Sequence, residues 1–372
     1  MLDHIFTIDM VTQEVVKLMN INHHSFLSFP NTLQKESFPL ATQSSFLTTN
    51  RFWMNKNDTL ESNVSRNIPI TAVDQYDFLE HRRNQEEKHW SRQDAKELTE
   101  LSSILTVEVN TTELCNRTCH FCPRADPEVF GNRNLHMTPK AARIIGEELH
   151  ENGFQGKISL SGYGENLLNP RFKEIVHTFR YTVPEATLEC NTNGDRLTEK
   201  KAKELYKAGL DLLYINLYDG IEQMEHFDKI MTKVTHEGRY KYRMHWGDFE
   251  KHGLILNNRS GVMDWVGVED DTVENLKGKP CHYPFYKMFV DWNGDVLFCS
   301  NDWGREHVVG NLLSMSLHEV WFSKPMNKIR KRLMKGNRSE SPCNKCSVDG
   351  SLFGKPSFDL IKEYYEGSNN RK

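Results

Sequence analysis

The sequence lacks any apolar run that approaches the roughly 20 residues needed to cross a membrane. It has almost no excess charge, because 47 basic and 51 acidic side chains leave a net charge of −4. Such a balance gives no electrostatic case for a nucleic-acid or anionic-membrane partner. Asp3 and Asp9 stand where a secretory signal would carry basic residues and then a long apolar stretch. We therefore expect a soluble protein of the cytoplasm.

Extremes of composition are also missing. The chain of 372 residues is 38% hydrophobic and 26% charged, close to the average of soluble globular proteins, which excludes a wholly disordered or collagen-like chain. At roughly 150 residues per domain, this length predicts two or three domains.

Cysteine is scarce, but its placement is informative. There are eight cysteines, and a reducing compartment argues against disulfides. Seven of the eight fall into two groups with the spacing of metal ligands, and Cys190 stands alone. The first group is Cys115, Cys119 and Cys122, and the second is Cys281, Cys299, Cys343 and Cys346.

The pattern of polar and apolar residues changes several times along the chain. Residues 1–103 are predicted to be a partly helical N-terminal extension, with a helical pattern over about 74–101. Residues 104–250 alternate short strands with helices, which predicts parallel strands joined by right-handed crossovers. At least five strands in about 140 residues favour an open or partial barrel, since a closed eight-stranded barrel takes about 250 residues.

The remaining third of the chain has a different pattern. Residues 251–279 are interpreted as a linker or as loops that cover a site. Residues 280–350 contain a hairpin turned at Asn293 and Gly294, a predicted helix over about 316–335, and the last cysteine pair. Residues 351–372 are interpreted as a polar C-terminal tail.

The first cysteine group lies in a loop after the first predicted strand, at the edge where parallel α/β folds build their sites. A four-iron cluster needs one thiolate per iron, so three thiolates would leave one iron open to a ligand. A structural zinc site is closed by four ligands instead. His120 could complete such a site, but a residue adjacent to Cys119 in a short loop seldom converges with both flanking cysteines.

This C-x3-C-x2-C spacing, with Phe121 before the third cysteine, resembles the radical S-adenosylmethionine (SAM) superfamily. Three further segments match the superfamily in order, each at the end of a predicted strand: SGYGE at 161–165, NTNG at 191–194 and INLYDG at 215–220. The resemblance implies that SAM binds the open iron and yields a 5′-deoxyadenosyl radical, which removes a hydrogen atom from a substrate. It also implies that SAM is contacted by Phe121, Gly164, Glu165, Asn193 and Asn216.

The second cysteine group is expected to come together through the hairpin. Four thiolates suit either a closed four-iron cluster or zinc. The order C-x12-G-x4-C followed by C-x2-C resembles the twitch domain, a shortened form of the SPASM domain. The resemblance implies an auxiliary four-iron cluster that accepts an electron, and thus two four-iron clusters in the chain.

Together these features predict an α/β fold with a partial (β/α)6 TIM-like barrel, a C-terminal α+β twitch domain and the N-terminal extension. The resemblance implies a radical SAM oxidoreductase that acts on a small polar substrate, sugar-like or an aminocyclitol. It also implies an electron donor such as flavodoxin or ferredoxin. A peptide maturase or an epimerase of the same superfamily remains an alternative. A zinc-stabilised binding protein is the alternative from another class.

Four residues are candidates for catalysis. Cys190 could return a hydrogen atom to a substrate radical, but strand alternation places it with Leu188 on the apolar face, where it is interpreted as a small packed residue. The other candidates are Tyr218, Arg243 and His245, together with Asn191 as a substrate contact; ordinary strand polarity explains them equally well. Residues 257–259 could cap the site, although a solvated loop is the favoured interpretation.

Overall fold

A computed structural model of the chain describes residues 78–93, 98–220, 222–236, 238–245, 257–263 and 270–369. The N-terminal extension up to residue 77 and much of the predicted linker therefore lie outside the described residues. None of the described helices is long and apolar enough to span a bilayer.

Eight strands form a single sheet, and ten helices accompany them in the described part of the chain. The strands are β1 Thr106–Val109, β2 Lys157–Leu160, β3 Thr187–Thr192, β4 Leu212–Leu217, β5 Tyr240–Met244, β6 Lys287–Val290, β7 Asp295–Leu297 and β8 Val308–Asn311. The helices are α1 Phe78–Ser91, α2 Pro139–Glu151, α3 Phe172–Thr182, α4 Glu199–Lys207, α5 Glu222–Met231, α6 Asp270–Asn275, α7 Tyr283–Tyr286, α8 Leu317–Trp321, α9 Lys324–Met334 and α10 Lys355–Asn369.

The strand order is β5-β4-β3-β2-β1-β6-β7-β8. The pairings among β1 to β6 are all parallel, whereas β7 is antiparallel to both β6 and β8. Val107 of β1 is paired on one side with Ile158 of β2 and on the other with Met288 of β6. The predicted α/β class is confirmed. The β6–β7 hairpin, which lies between Cys281 and Cys299, thus shares one sheet with the barrel strands.

Local sequence signals explain where the helices of the barrel begin. Thr138 caps α2 by accepting a hydrogen bond from the Ala141 amide, and Pro139 occupies the first turn, as predicted. Thr198 caps α4 in the same way through the Lys201 amide. Gly209 follows α4 with φ +107°, a backbone conformation that glycine adopts without strain.

Alternation along the parallel strands sorts their side chains between two environments. The apolar positions, such as Val107, Ile158 and Leu188, are fully buried in one hydrophobic core. Ile145 of α2 and Phe179 of α3 belong to the same core. The polar positions point to the other side of the sheet, and this second face forms the site described below.

The helix predicted over 316–335 is wrong as a single element. It is two helices, α8 and α9, because Ser323 caps a second helix through the Met326 amide and Pro325 lies in the first turn. Ser316 begins α8 with a capping box that includes Glu319.

The polar tail predicted for 351–372 is also wrong, since residues 355–369 form α10. Phe358, Ile361 and Tyr365 are buried and pack against Phe285 of α7. Their spacing of three and four residues is the helical stripe that the polar residues between them conceal.

Candidate active site

A cavity of about 560 Å³ lies on the polar face of the sheet. All six parallel strands contribute to it. The first cysteine group borders the cavity, and residues 347–349, next to Cys346 of the second group, border it elsewhere. One side chain from each strand in chain order illustrates the lining: Glu108, Ser159, Asn191, Asn216, Arg243 and Phe289.

The three thiols of the first group lie close together at the carboxyl end of β1. Burial, together with the neighbouring Cys122 and Cys115 thiols, raises the pKa of Cys119 to about 12. Burial raises the pKa of Cys115 and of Cys122 as well. Clustered thiols of this kind become thiolates when a metal binds them. The donor set therefore fits an iron–sulfur cluster with one iron left open.

The four thiols of the second group also converge. Burial raises the pKa of Cys281 to about 11, and burial with the neighbouring Cys281 raises that of Cys343 to about 12. Burial and the same Cys281 thiol raise the pKa of Cys299 well above its usual value. The turn glycine Gly294 has φ +84°, which supports the hairpin that brings Cys281 and Cys299 together.

Backbone amides point at two of these sulfurs. The Asn301 amide donates to Cys299 Sγ at 3.4 Å, and the Val348 amide donates to Cys346 Sγ at 3.4 Å. Such hydrogen bonds are a feature of cluster ligands. Within the described residues, no three His, Cys, Asp or Glu side chains lie close enough to share a single metal ion.

Glu165 joins the SGYGE segment at 161–165 to the NTNG segment at 191–194. Its carboxylate accepts hydrogen bonds from Thr192 Oγ1 at 2.6 Å, from the Asn193 amide at 2.7 Å and from the Leu167 amide at 3.0 Å. Burial raises the pKa of Glu165, and these hydrogen bonds oppose that rise. A Cβ on Gly164 would lie 2.0 Å from the Thr112 carbonyl oxygen, so only glycine fits there.

The two predicted SAM-contact amides also line the cavity. Asn193 Nδ2 donates to Asn116 Oδ1 at 3.0 Å. Asn216 Nδ2 donates to the Thr192 carbonyl at 2.9 Å, and its Oδ1 lies 3.1 Å from His245 Nε2. The first cysteine loop therefore holds the Asn193 amide, and the ends of the neighbouring strands β3 and β5 hold the Asn216 amide.

Three aromatic rings from separate elements are parallel at the cavity. The rings of Phe121, Tyr218 and His245 have centroids 4.8–5.8 Å apart and planes within 9° of each other. Burial, with Arg243 and Arg259 nearby, lowers the pKa of His245 to about 3. His245 is therefore neutral at physiological pH.

The protonated nitrogen of His245 follows from its partner. Because Asn216 donates through Nδ2 to Thr192, its Oδ1 is an acceptor, and His245 Nε2 must carry the proton. Nδ1 is then an unprotonated acceptor.

Arg117 is a site residue that the sequence prediction missed. It bonds Asp195 at 2.6 Å and Asp219 at 2.7 Å, and its guanidinium lies 4.8 Å from the centre of the Tyr218 ring. One arginine thereby ties the first cysteine loop to the ends of β3 and β4. An arginine inside the C-x3-C spacing and an aspartate after each of two strand ends were the available signals.

The sequence prediction also missed a set of residues that joins the first cysteine loop to the β6–β7 hairpin. Glu113 is fully buried and bonds Arg305 at 2.5 Å, and Trp292 Nε1 donates to it at 3.2 Å. Arg305 also bonds Asp291 at 2.5 Å. Arg305 thus pairs with Glu113, which precedes the first cysteine group, and with Asp291 of the hairpin.

Cys190, named as a candidate catalytic thiol, does not reach the cavity. It is fully buried in the hydrophobic core among apolar side chains. Asn166 Nδ2 lies 3.8 Å from its sulfur. The candidate hydrogen donor is therefore a core residue, as strand alternation favoured.

Arg259 corrects the interpretation of 257–259 as a solvated loop. It lines the cavity, with a left-handed backbone of φ 47°. The neighbouring Asn258 fastens the loop, because its Nδ2 donates to the Lys345 carbonyl at 2.7 Å and its amide donates to Ser347 Oγ at 2.9 Å.

Several buried polar atoms of the cavity lack a hydrogen-bond partner within the described part of the protein. They are Asn191 Oδ1, His245 Nδ1 and Arg259 Nε. Buried polar groups are nearly always hydrogen-bonded, so these atoms indicate a polar ligand.

Comparisons with known proteins agree with this geometry. Residues 109–241 match the radical SAM superfamily, and residues 281–347 match the iron–sulfur cluster-binding domain called SPASM. The S-adenosyl-L-methionine-dependent 2-deoxy-scyllo-inosamine dehydrogenase of Niallia circulans is 29% identical over 255 residues, which cover 68% of this chain and 96% of that relative. A GTP 3′,8-cyclase of Rippkaea orientalis is 26% identical over 190 residues, which cover 50% of this chain and 55% of the cyclase.

A solved structure shows the same fold. The crystal structure of BtrN in complex with AdoMet and 2-DOIA superposes with a TM-score of 0.58 at 26% identity, and the match covers 68% of this chain and 96% of BtrN.

These findings define a radical SAM enzyme with an auxiliary iron–sulfur cluster domain. Within that class the chain resembles the dehydrogenase from Niallia circulans, and the predicted radical SAM oxidoreductase is confirmed. The predicted cofactors, SAM and iron–sulfur clusters in both domains, agree with the two matched domains.

Proposed function

We propose that this protein is a dehydrogenase that oxidises a secondary alcohol on a small polar ring, such as a polyol or an aminocyclitol. The observation that carries the proposal is a polar cavity that is lined by the first cysteine group and by residues 347–349, which directly follow Cys346 of the second group. A substrate in that cavity would lie beside the source of a radical and beside an electron acceptor.

The residues present fit the cofactors of this class. Cys115, Cys119 and Cys122 would hold the cluster that binds SAM, and the second cysteine group would hold a closed auxiliary cluster. Phe121, Gly164, Glu165, Asn193 and Asn216 would surround SAM. When bound, SAM and its cluster supply a carbon radical that can take a hydrogen atom from an unactivated C–H bond.

The chain's own contribution is to bind and orient the substrate. The acceptor atoms Asn191 Oδ1 and His245 Nδ1 and the donor Arg259 Nε face the cavity without protein partners among the described residues. Hydroxyl and amino groups supply both the donors and the acceptors that such atoms require. A ring with several of these substituents therefore suits the cavity better than an apolar substrate.

Loss of hydrogen as an atom leaves one electron and one proton to remove before a ketone forms. A cluster held by the second cysteine group would suit the electron, since residues 347–349 beside Cys346 line the cavity. An epimerase would need a hydrogen donor such as a thiol instead. Cys190 is buried in the core, so oxidation is favoured over epimerisation. A flavodoxin or ferredoxin in the reducing cytoplasm would supply the electron that starts each turnover.

The test uses the cluster-loaded enzyme under anaerobic conditions with SAM, a reductant and a panel of inositols and aminocyclitols deuterated at their carbinol carbons. We expect one substrate to give a ketone and 5′-deoxyadenosine in equal amounts, with deuterium transferred to the 5′-deoxyadenosine. Formation of an epimer with solvent hydrogen, or of no ketone from any ring, would contradict the proposal.

A further inference from the structure

Helix α1 belongs to neither of the two matched domains, since it precedes residue 109. Three of its side chains nevertheless line the cavity: His81, Arg82 and Gln85. They meet the parallel strands near their amino ends, on the side of the cavity away from the first cysteine group.

Helix α1 contacts a charged pair inside the barrel. Lys157, the first residue of β2, lies 3.1 Å from Glu189 of β3. Gln85 binds both members of the pair, because its Oε1 accepts from Lys157 Nζ at 2.7 Å and its Nε2 donates to Glu189. His81 Nε2 lies 3.7 Å from the same carboxylate. Glu189 is 2% exposed, so its carboxylate is withdrawn from solvent, while Gln85, His81 and Lys157 are half-buried.

Helix α1 also makes contacts beyond the Lys157–Glu189 pair. Arg82 donates to the Tyr286 hydroxyl at 3.2 Å and lies 4.3 Å from the centre of the Phe353 ring. Glu86 accepts a hydrogen bond from the Gly354 amide at 3.0 Å. Trp90 packs on the buried group of Leu105, Tyr286 and Phe353. The position of α1 is thereby set by both the barrel and the segment that follows the second cysteine group.

We propose that helix α1 is the floor of the reaction cavity and that Gln85 is a positioning residue for the substrate. By holding Lys157 and Glu189 in one arrangement, Gln85 presents a fixed cation, a fixed anion and its own amide to the inner end of the cavity. The substrate class follows from that chemistry: a ring whose hydroxyl or amino groups opposite the reacting carbon bind this floor. The inference rests on the proposed function.

The floor has a second consequence for turnover. Radical chemistry needs a cavity from which competing hydrogen donors are excluded. A substrate that sits loosely lets SAM be cleaved without oxidation of the substrate. The ratio of 5′-deoxyadenosine to ketone therefore reports how well the floor positions the ring.

The test compares Gln85→Ala with the wild type in the full-length, cluster-loaded enzyme. Loss of hydrogen bonds to two charged groups should raise the KM of the ring substrate about tenfold and raise the ratio of 5′-deoxyadenosine to ketone above one. Gln85→Met, which keeps the length of the side chain without its hydrogen bonds, should act in the same direction. Glu87→Ala, on the exposed face of α1, is the matched control and should behave as the wild type.

The outcomes separate this inference from the proposed function. If the wild type forms ketone and Gln85→Ala shows the same KM and ratio, the floor is refuted while the dehydrogenase stands. If the wild type oxidises no ring, the proposed function fails, and the floor is judged by amide hydrogen exchange of residues 157–160 and 187–192. Faster exchange in Gln85→Ala than in Glu87→Ala supports the floor, and equal exchange overturns it.

Discussion

At the scale of single residues, His245 shows how hydrogen bonds define a chemical role. Two strand ends and one amide decide which imidazole nitrogen carries the proton, and burial keeps the ring neutral. The result is an acceptor atom placed in a cavity whose other polar groups include several cations. A histidine directly after a strand suggests none of this until Asn216 and Thr192 are seen beside it.

The pH dependence of stability tests this assignment. The folded pKa of His245, about 3, lies below its ordinary value of about 6.5. The neutral folded imidazole therefore costs no stability above about pH 6.5. As the pH falls from 6.5 towards 3, the unfolded chain binds a proton that the folded protein does not, and the free energy of unfolding decreases. Between pH 7.5 and 5.5 the wild type should lose about 1 kcal/mol more stability than His245→Gln. The apparent midpoints of thermal unfolding of the loaded proteins measure the difference. Equal losses would show that His245 titrates normally.

Cys190 leads to a second prediction at this scale. Because its thiol is buried in the core, Cys190→Ala should keep ketone formation and lose about 1 kcal/mol of stability, as a small core truncation does. Product analysis in deuterated water checks the first part, and thermal unfolding checks the second. A variant that consumes SAM without product, beside a wild type that incorporates solvent deuterium, would identify Cys190 as a hydrogen donor instead.

At the scale of elements, the first cysteine loop depends on contacts that local sequence does not reveal. Arg117 holds two aspartates that follow β3 and β4, so three elements distant in sequence fix one loop. A lysine could not replace it, because a single ammonium cannot bind two carboxylates with parallel pairs of hydrogen bonds.

Removal of this clamp should weaken SAM binding. Partly exposed ion pairs contribute up to about 1 kcal/mol each, so Arg117→Ala should raise the KM for SAM about fivefold to tenfold. The control is Arg171→Ala, which breaks an exposed pair with Glu174 on α3, outside the cavity lining. Initial rates of 5′-deoxyadenosine formation provide the measurement. An unchanged KM in Arg117→Ala would assign the clamp to loop stability alone.

The elements also show what could be predicted from the sequence. Periodicity and capping residues such as Thr138 located the barrel strands and helices, because these signals are local. The break at Ser323 and the helix over 355–369 were missed, since a cap inside an apolar pattern and an apolar stripe within a polar segment are weak signals. The β1–β6 pairing was beyond reach, because it depends on contacts across about 180 residues.

At the scale of the whole molecule, the spacing of the cysteines predicted two clusters, but the cavity near them could be recognised only once the fold was known. Strand alternation predicted a polar interior and a buried Cys190. It did not predict that Arg259 lines the cavity from a loop or that side chains of α1 line it near the amino ends of the strands. Those residues come from segments without a repeating pattern, whose positions depend on what they pack against.

The central claim is a division of labour between the two cysteine groups, with SAM cleaved at the first and the electron accepted at the second. It predicts about eight irons per chain, with four in each cluster, and about four after replacement of Cys343 and Cys346 by alanine. The triple variant of Cys115, Cys119 and Cys122 should also keep about four irons but cleave no SAM.

The most direct test is to measure 5′-deoxyadenosine and ketone together in the Cys343→Ala, Cys346→Ala double variant and in the wild type, with iron and zinc contents determined for both proteins. The account predicts that SAM is still cleaved and that ketone formation is lost. Ketone formed in a one-to-one ratio with 5′-deoxyadenosine by that variant, or zinc in place of the second four irons of the wild type, would contradict it.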